Sequence, residues 1–507
     1  MRPTTRARLS SLRPSDTREG WILSLAVFGV ALLLRMWRVG FPNKIIFDET
    51  YYAKDAWSML HHGYEVDATS GGPAFVVHPP LGKWMIAFGE WIFGNNAVGW
   101  RFSSAIIGAC CVLLLTRTVR RITGSTLLGC IAGMLLTLDG LAFVLSRTAL
   151  LDGFLLFWIL VALFCMVRDR DQGRARLRTL IEEAENSDPS TVQHWAGPLL
   201  GWRWWRIGTG LALGAACATK WSGLYYLVAF GFLMAMWDIG ARRSAGIARP
   251  AGAALVRDWR WLLPSTTLVP LATYVLTWVG WFASNDAWDR HWKGQHGIIG
   301  SIKGYWHYHW EIYNFHHHLS ATHTYASKPF TWLVIGRPVS FSVDYPTTGQ
   351  RLYGETCHVA GKCYSEVLAV GTPAIWWVGI PAMLFVAFLW VARRDWRASL
   401  VLVGFAAGFL PWLPLSSRTM FYFYALPLFP FEIIAITLVI GLILGKDPQP
   451  GDDEKVRDRR VLASIGVGAY LMLVFINFVW LHPILTGDLL SPGGWAARVS
   501  DWFPGWI

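Results

Sequence analysis

The sequence predicts an all-α integral membrane protein of about eleven transmembrane helices. Two observations carry this expectation. Of 507 residues, 54% are hydrophobic, 15% are charged and 31 are tryptophan, whereas a soluble domain carries about 25% charged residues. The apolar residues also run together, as in 21–34, 154–167, 401–413 and 433–444. A membrane-spanning helix needs roughly 20 such residues, somewhat fewer when it is short.

In chain order the spans read as 21–39, 97–117, 125–138, 152–167, 204–219, 222–238, 261–281, 371–391, 398–413, 420–443 and 461–481. Spans three to six include short ones, so partial or re-entrant helices are expected near 139–151 and Lys220. No internal repeat and no extra soluble domain is visible.

Orientation follows from arginine. The net charge of +12 does not indicate nucleic acid, because the arginines sit in alternate connections. These are the N-terminus (Arg2, Arg6, Arg8, Arg13, Arg18), Arg117/Arg120/Arg121, 168–206, 242–260, Arg393/Arg394/Arg397 and 446–460. Basic loops stay in the cytoplasm. Residues 1–20 therefore read as a cytoplasmic basic tail and not a cleavable signal. Residues 21–481 read as a polytopic catalytic domain, and 482–507 as an extracytoplasmic tail. Loops 40–96 and 282–370 face outward, and 168–203 reads as a loose charged linker inside.

The outward loops hold the informative residues. Trp306, Trp310 and Tyr313 recur at helical spacing, as in an amphipathic helix lying in the membrane interface. Cys357 and Cys363 flank a glycine-containing turn, and an oxidising outer compartment favours a disulfide between them. The other five cysteines fall inside spans and read as small core residues. Nine of the 14 histidines fall in 291–358. No zinc-ligand spacing appears there, so interfacial packing accounts for them better than a metal.

The strongest chemical signal is Asp48-Glu49, two carboxylates among aromatic and apolar neighbours just past the first span. A carboxylate there can take a proton from an incoming hydroxyl. His78 and Lys83, in His-Pro-Pro-Leu-Gly-Lys, are candidates to meet a phosphate; a lysine snorkelling from a helix end explains Lys83 equally well. Arg147 and Asp152 lie at another outer boundary. They either pair, or Arg147 binds an anion that Asp152 orients. Lys220 and Arg418 have the same character, with helix-end snorkelling as the alternative for each. Several isolated cations at one boundary suggest a single anionic group bound there, which arginine would grip with a bidentate fork. No glycine-rich phosphate loop, nucleotide fingerprint or Ser-His-Asp arrangement stands out, which argues against nucleotide-driven chemistry.

Taken together, Phe-Asp-Glu-Thr-Tyr-Tyr at 47–52, His-Pro-Pro-Leu-Gly-Lys at 78–83, Arg147 with Leu-Leu-Asp at 150–152, Thr-Lys-Trp-Ser-Gly at 219–223, Ile-Gly-Arg-Pro at 335–338 and Ser-Arg-Thr-Met-Phe-Tyr-Phe-Tyr at 417–424 resemble the polyprenyl-phosphate-mannose–protein O-mannosyltransferases in their actinobacterial form. The resemblance implies a C-type membrane glycosyltransferase fold (GT-C) in the plasma membrane, with the active site outside. It implies mannose transfer from polyprenyl-phosphate-mannose to Ser or Thr hydroxyls of exported proteins, with coupling to the export machinery. It makes Asp48 the base, with Glu49 beside it, and Arg147, Lys220 and Arg418 phosphate-side residues. A divalent cation such as Mg or Mn is the cofactor left open. Residues 282–370 look too short and too helical for the β-trefoil of eukaryotic members. A GT-C enzyme with a lipid or glycan acceptor, and a transporter, are the competing readings.

Overall fold

The computed structural model describes residues 9–10, 16–67, 69–187, 195–445 and 453–506. Most of the basic tail 1–20 and the start of the basic stretch 446–460 lie outside the described residues.

The predicted spans coincide wholly or in large part with helix. The first half runs α1 (Thr17–Met36), α2 (Glu49–His62), α3 (Leu81–Phe93), α4 (Ala97–Thr123), α5 (Thr126–Thr137), α6 (Gly140–Leu145), α7 (Leu151–Ser187), α8 (Trp204–Thr219) and α9 (Gly223–Ser244). Then come the short α10 (Pro250–Arg257), α11 (Trp259–Thr266), α12 (Leu268–Leu276) and α13 (Val279–Ala283). Loop 282–370 holds α14 (Gly297–His318) and α15 (Pro329–Trp332), and α16 (Pro373–Arg393), α17 (Trp396–Phe409), α18 (Phe429–Leu444), α19 (Glu454–Thr486) and α20 (Pro492–Ala496) follow. Among the described residues six helices are long and apolar enough to cross a membrane: α1, α4, α7, α9, α16 and α19.

Local chemistry sets the boundaries. The Asn96 side chain accepts from the N–H groups of Val98 and Gly99 at 3.0 and 3.1 Å and starts α4, which stops at Gly124 with φ 73°. These are the usual polar N-cap and left-handed glycine stop. The single span expected over 261–281 is instead three short helices. Pro264 lies inside α11 and Pro270 inside α12, and proline removes a helical donor. Small residues on α8 accept this broken segment: a Cβ at Gly214 would sit 2.7 Å from the Pro270 backbone.

Residues 168–203 differ most from expectation. They are no loose linker up to Ser187, because α7 continues through them. Buried charges hold its extension. Asp169 accepts from Arg203 at 2.7 Å and from Arg206 at 3.0 Å, and Asp238 on α9 accepts from the same two arginines at 2.9 and 2.5 Å. Arg242 pairs with Asp258 at 2.7 Å. Buried charges persist when they are paired and hydrogen-bonded in this way. The sequence pattern offered only alternating signs, which solvent would satisfy equally well.

Beside the helices the fold carries a small sheet. After α14, the strands β1 (Val339–Asp344), β2 (Arg351–Leu352), β3 (Glu355–Thr356), β4 (Tyr364–Ala369) and β5 (Leu489–Leu490) form a three-stranded antiparallel sheet in the order β1-β4-β5, plus a β2-β3 hairpin. Cys357 and Cys363 are disulfide-bonded beside that hairpin. Because β5 pairs with β4, the segment after α19 lies on the same face as loop 282–370. Trp306, Trp310 and Tyr313 on α14 are exposed by 76, 53 and 48%, a stripe suited to an interface.

Candidate active site

Asp48 owes its position to strain held by packing. Phe47 has φ 45°, a left-handed conformation that costs a bulky residue free energy unless its surroundings over-determine it. Its ring stacks on Phe341 of β1 at 4.7 Å and meets Phe421 and Phe423 edge-on at 5.9 and 5.7 Å. The loop is further tied to the sheet by Lys44, whose Nζ donates to Asp344 at 2.7 Å. Asp48 then begins α2 without using its side chain as a cap. Its half-buried carboxylate makes no hydrogen bond or ion pair among the described residues. Burial pushes it up to about 6, with Lys220 pulling it down and Asp152 pushing it up.

Glu49 points inward instead. It is fully buried and accepts from Arg101 Nε and Nη2, both at 2.7 Å, and from the N–H groups of Ala149 and Ile46, both at 3.0 Å. With all its lone pairs occupied it can orient neither acceptor nor metal; it anchors the loop. Arg101 also donates to the carbonyls of Pro42 and Lys44 at 2.8 Å, which fixes the turn leading to Asp48.

The expected cations divide into two groups. Lys220 ends α8 and pairs with Asp152 at 2.9 Å, so Asp152 partners the lysine and not Arg147. Arg418 Nη2 donates to His316 Nδ1 at 3.0 Å, while its buried Nε finds no acceptor among the described residues. His316 Nε2 in turn donates to the Val77 carbonyl at 2.9 Å. That arrangement requires a neutral ring, and burial together with Arg418 holds His316 down at about 4. His78 packs 5.2 Å from His316 and is likewise held well below the usual imidazole range, by burial and then by Lys220. His78, Lys220, His316 and Arg418 line one cleft of about 670 Å³, closed by the rings of Tyr225, Trp412 and Tyr424.

Arg147 and Lys83 stand outside this cleft. The Arg147 guanidinium donates to the carbonyls of Leu34, Trp37 and Arg38, the last at 2.9 Å; it satisfies the open end of α1. Lys83 is buried and donates to Glu65, with Asp55 at 3.9 Å. Their polar atoms are spent on the protein, so neither is free to hold a phosphate in this structure. No three His, Cys, Asp or Glu side chains among the described residues are grouped to hold a metal ion, and Asp152 is already taken by Lys220.

Residues 25–182 match the dolichyl-phosphate-mannose-protein mannosyltransferase family, and residues 301–506 match the C-terminal four-TMM region of protein-O-mannosyltransferase. A polyprenol-phosphate-mannose–protein mannosyltransferase of Mycobacterium tuberculosis is 41% identical, over 97% of this chain and 93% of its own length. The chain belongs to this family. Its counterpart in Corynebacterium glutamicum is 35% identical over 91% of this chain and 88% of its own. The solved Pmt1-Pmt2 complex of S. cerevisiae, bound to the sugar donor, shares the fold with a TM-score of 0.72, covering 99% of this chain and 94% of that one at 15% identity. The architecture is that of the GT-C glycosyltransferases.

Three side chains of this arrangement carried no signal in the sequence. Arg101 is one arginine inside an apolar span, and its partner lies 52 residues away. His316 is one of three adjacent histidines, and only the helix direction of α14 selects it. Tyr424 lies 4.3 Å beneath the Lys220 ammonium, a cation–π contact that no spacing rule gives.

The unsatisfied Arg418 Nε gives a prediction. Arg418→Ala is expected to weaken donor binding by about 10- to 100-fold, the range for a hydrogen bond to a charged group. Titration with a polyprenyl phosphate measures it; unchanged affinity and turnover would remove Arg418 from the site.

Proposed function

We propose that this enzyme transfers mannose from polyprenyl-phosphate-mannose to Ser or Thr hydroxyls of exported proteins in one inverting displacement, with Asp48 as the base. The observation that carries the reading is the unpartnered Asp48 carboxylate beside the cationic cleft of Lys220 and Arg418. The acceptor hydroxyl is a poor nucleophile and needs a base within reach. Asp48 takes its proton as the new oxygen–C1 bond forms. The bond from C1 to the phosphate oxygen breaks, and polyprenyl phosphate leaves with the electron pair. Positive groups stabilise that charge: Lys220 on its Tyr424 platform and Arg418 through its free N–H. The neutral His78 and His316 rings add no competing charge.

Two experiments test this reading. Purified protein with polyprenyl-phosphate-mannose and a Ser/Thr peptide is expected to yield mannosyl-peptide, and transfer to lipid or glycan acceptors alone would redirect it. The base requires ionised Asp48, so turnover should fall as pH drops through about 6, by about tenfold per unit below it. His316, at about 4, and His78 add no step between pH 6 and 8. A flat profile from pH 5 to 8 would argue against Asp48.

The extracytoplasmic side of the plasma membrane fits the arginine distribution and places the cleft where exported chains emerge. Single cysteines at the exposed Gln350 and Thr179 report this with an impermeant thiol reagent on intact cells. Labelling is expected at 350 only, and labelling at 179 would invert the topology.

A further inference from the structure

Away from the catalytic face, α16, α18 and α19 do not close on one another. They enclose a cleft of about 720 Å³, a size typical of small-molecule sites. Its walls are apolar: Phe385 on α16, Ile440 on α18, and Leu462 and Gly466 on α19. Only 17% of the most apolar stretch of α19 is buried, the least of the six spans. A Cβ at Gly466 would meet nothing within 4 Å, so the helix presents open space where it could have packed.

One end of the cleft is not apolar. Arg459 lines it, at the end of α19 remote from β5 and the catalytic face. A separate cleft of about 620 Å³ around the end of α18 is lined by Arg393, Arg397 and Arg460. Arg397 is paired with Asp395 at 2.6 Å, and Arg460 donates to the carbonyl of Leu444 at 2.6 Å. Arg393 and Arg459 are exposed and have no acidic partner among the described residues. The apolar part runs from Arg459 to Tyr470. Eleven residues of helix advance about 16 Å, half of a hydrocarbon core of about 30 Å. The Tyr470 hydroxyl at the deep end finds no partner among the described residues.

We propose that this is a binding site for one anionic glycerophospholipid of the leaflet on the basic face, with an acyl chain between α16, α18 and α19 and the phosphate on Arg459. Charge complementarity selects this occupant. A neutral lipid leaves the Arg459 guanidinium unpaired, and basic pockets between spanning helices bind anionic head groups. The depth of one leaflet suits an acyl chain and is too short for a long isoprenoid lying straight.

Native mass spectrometry of the purified protein, released from bilayer discs of mixed phosphatidylglycerol and phosphatidylcholine, tests the site. Wild type is expected to retain one phosphatidylglycerol in preference. Arg459→Gln should reduce that preference about fivefold. Gly466→Phe should abolish retention of either lipid, and Gly466→Ala should keep it. Peptide mannosylation at the wild-type rate reports that each variant is folded. Equal retention of the two lipids by wild type would overturn the proposal. So would an unchanged preference in Arg459→Gln, or undecaprenyl phosphate displacing phosphatidylglycerol from the site. A wild-type dimer that Gly466→Phe dissociates would assign the face to a second copy of the chain and overturn it equally.

Discussion

Asp48→Asn is expected to slow single-turnover mannosyl transfer by roughly 10²–10⁴-fold, the usual consequence of losing a general base, while the protein stays folded. The side chain makes no hydrogen bond or ion pair among the described residues, so the amide breaks nothing. Burial of the carboxylate already raises its proton affinity, to about 6; removing the charge therefore removes a desolvation cost. The variant should melt at or slightly above the wild-type temperature and bind donor at least as well. Rapid-quench transfer at saturating donor, together with thermal melting in detergent, measures both effects. Transfer at a near wild-type rate would show that another group accepts the proton.

Glu49→Gln is expected to fail in the opposite way. Four donors converge on this carboxylate, two of them from Arg101. The glutamine amide would point N–H groups at N–H groups and leave Arg101 buried without its counter-ion. Breaking a buried pair on one side costs about 3–5 kcal/mol. Melting should drop by several degrees, and activity should fall with it because the turn carrying Phe47 and Asp48 loses its anchor. Arg101→Met should behave alike. Glu49→Gln with Arg101→Met should recover part of the stability, since an apolar replacement of both partners is tolerated better than an orphaned charge. A Glu49→Gln protein that melts like wild type yet transfers nothing would return Glu49 to a chemical role.

Neighbouring residues with similar chemistry thus separate only in three dimensions. Asp48 and Glu49 are adjacent and both acidic, and the sequence could rank them no further than a pair. Which one faces inward depends on the left-handed Phe47 and on Arg101 from another helix. The cations sorted in the same way. Composition marked Arg147, Lys83, Lys220 and Arg418 alike as boundary charges. Two of them proved to satisfy helix-end carbonyls and acidic side chains, because those partners come from segments far away in the chain. The spans were legible because an apolar run must lie in hydrocarbon wherever it packs. The sheet of β1, β4 and β5 was not, since its strands are short and the last lies 120 residues beyond its neighbour. The length of α7 was missed because its charged half looks solvated until Arg203 and Arg206 fold back on it.

The closure of the sheet face by the far end of the chain has a consequence in time. Arg38 meets Asp488 across 450 residues, and the buried Trp506 ring donates to the Ile335 carbonyl at 2.7 Å. At a synthesis rate of roughly 5–20 residues per second, the segment carrying Asp48 waits about 20–90 s for these partners to emerge. Until α19 has inserted and released β5, the sheet beneath Phe47 lacks its third strand. The three-stranded sheet beneath Phe47 is therefore completed only after nearly the whole chain has been made.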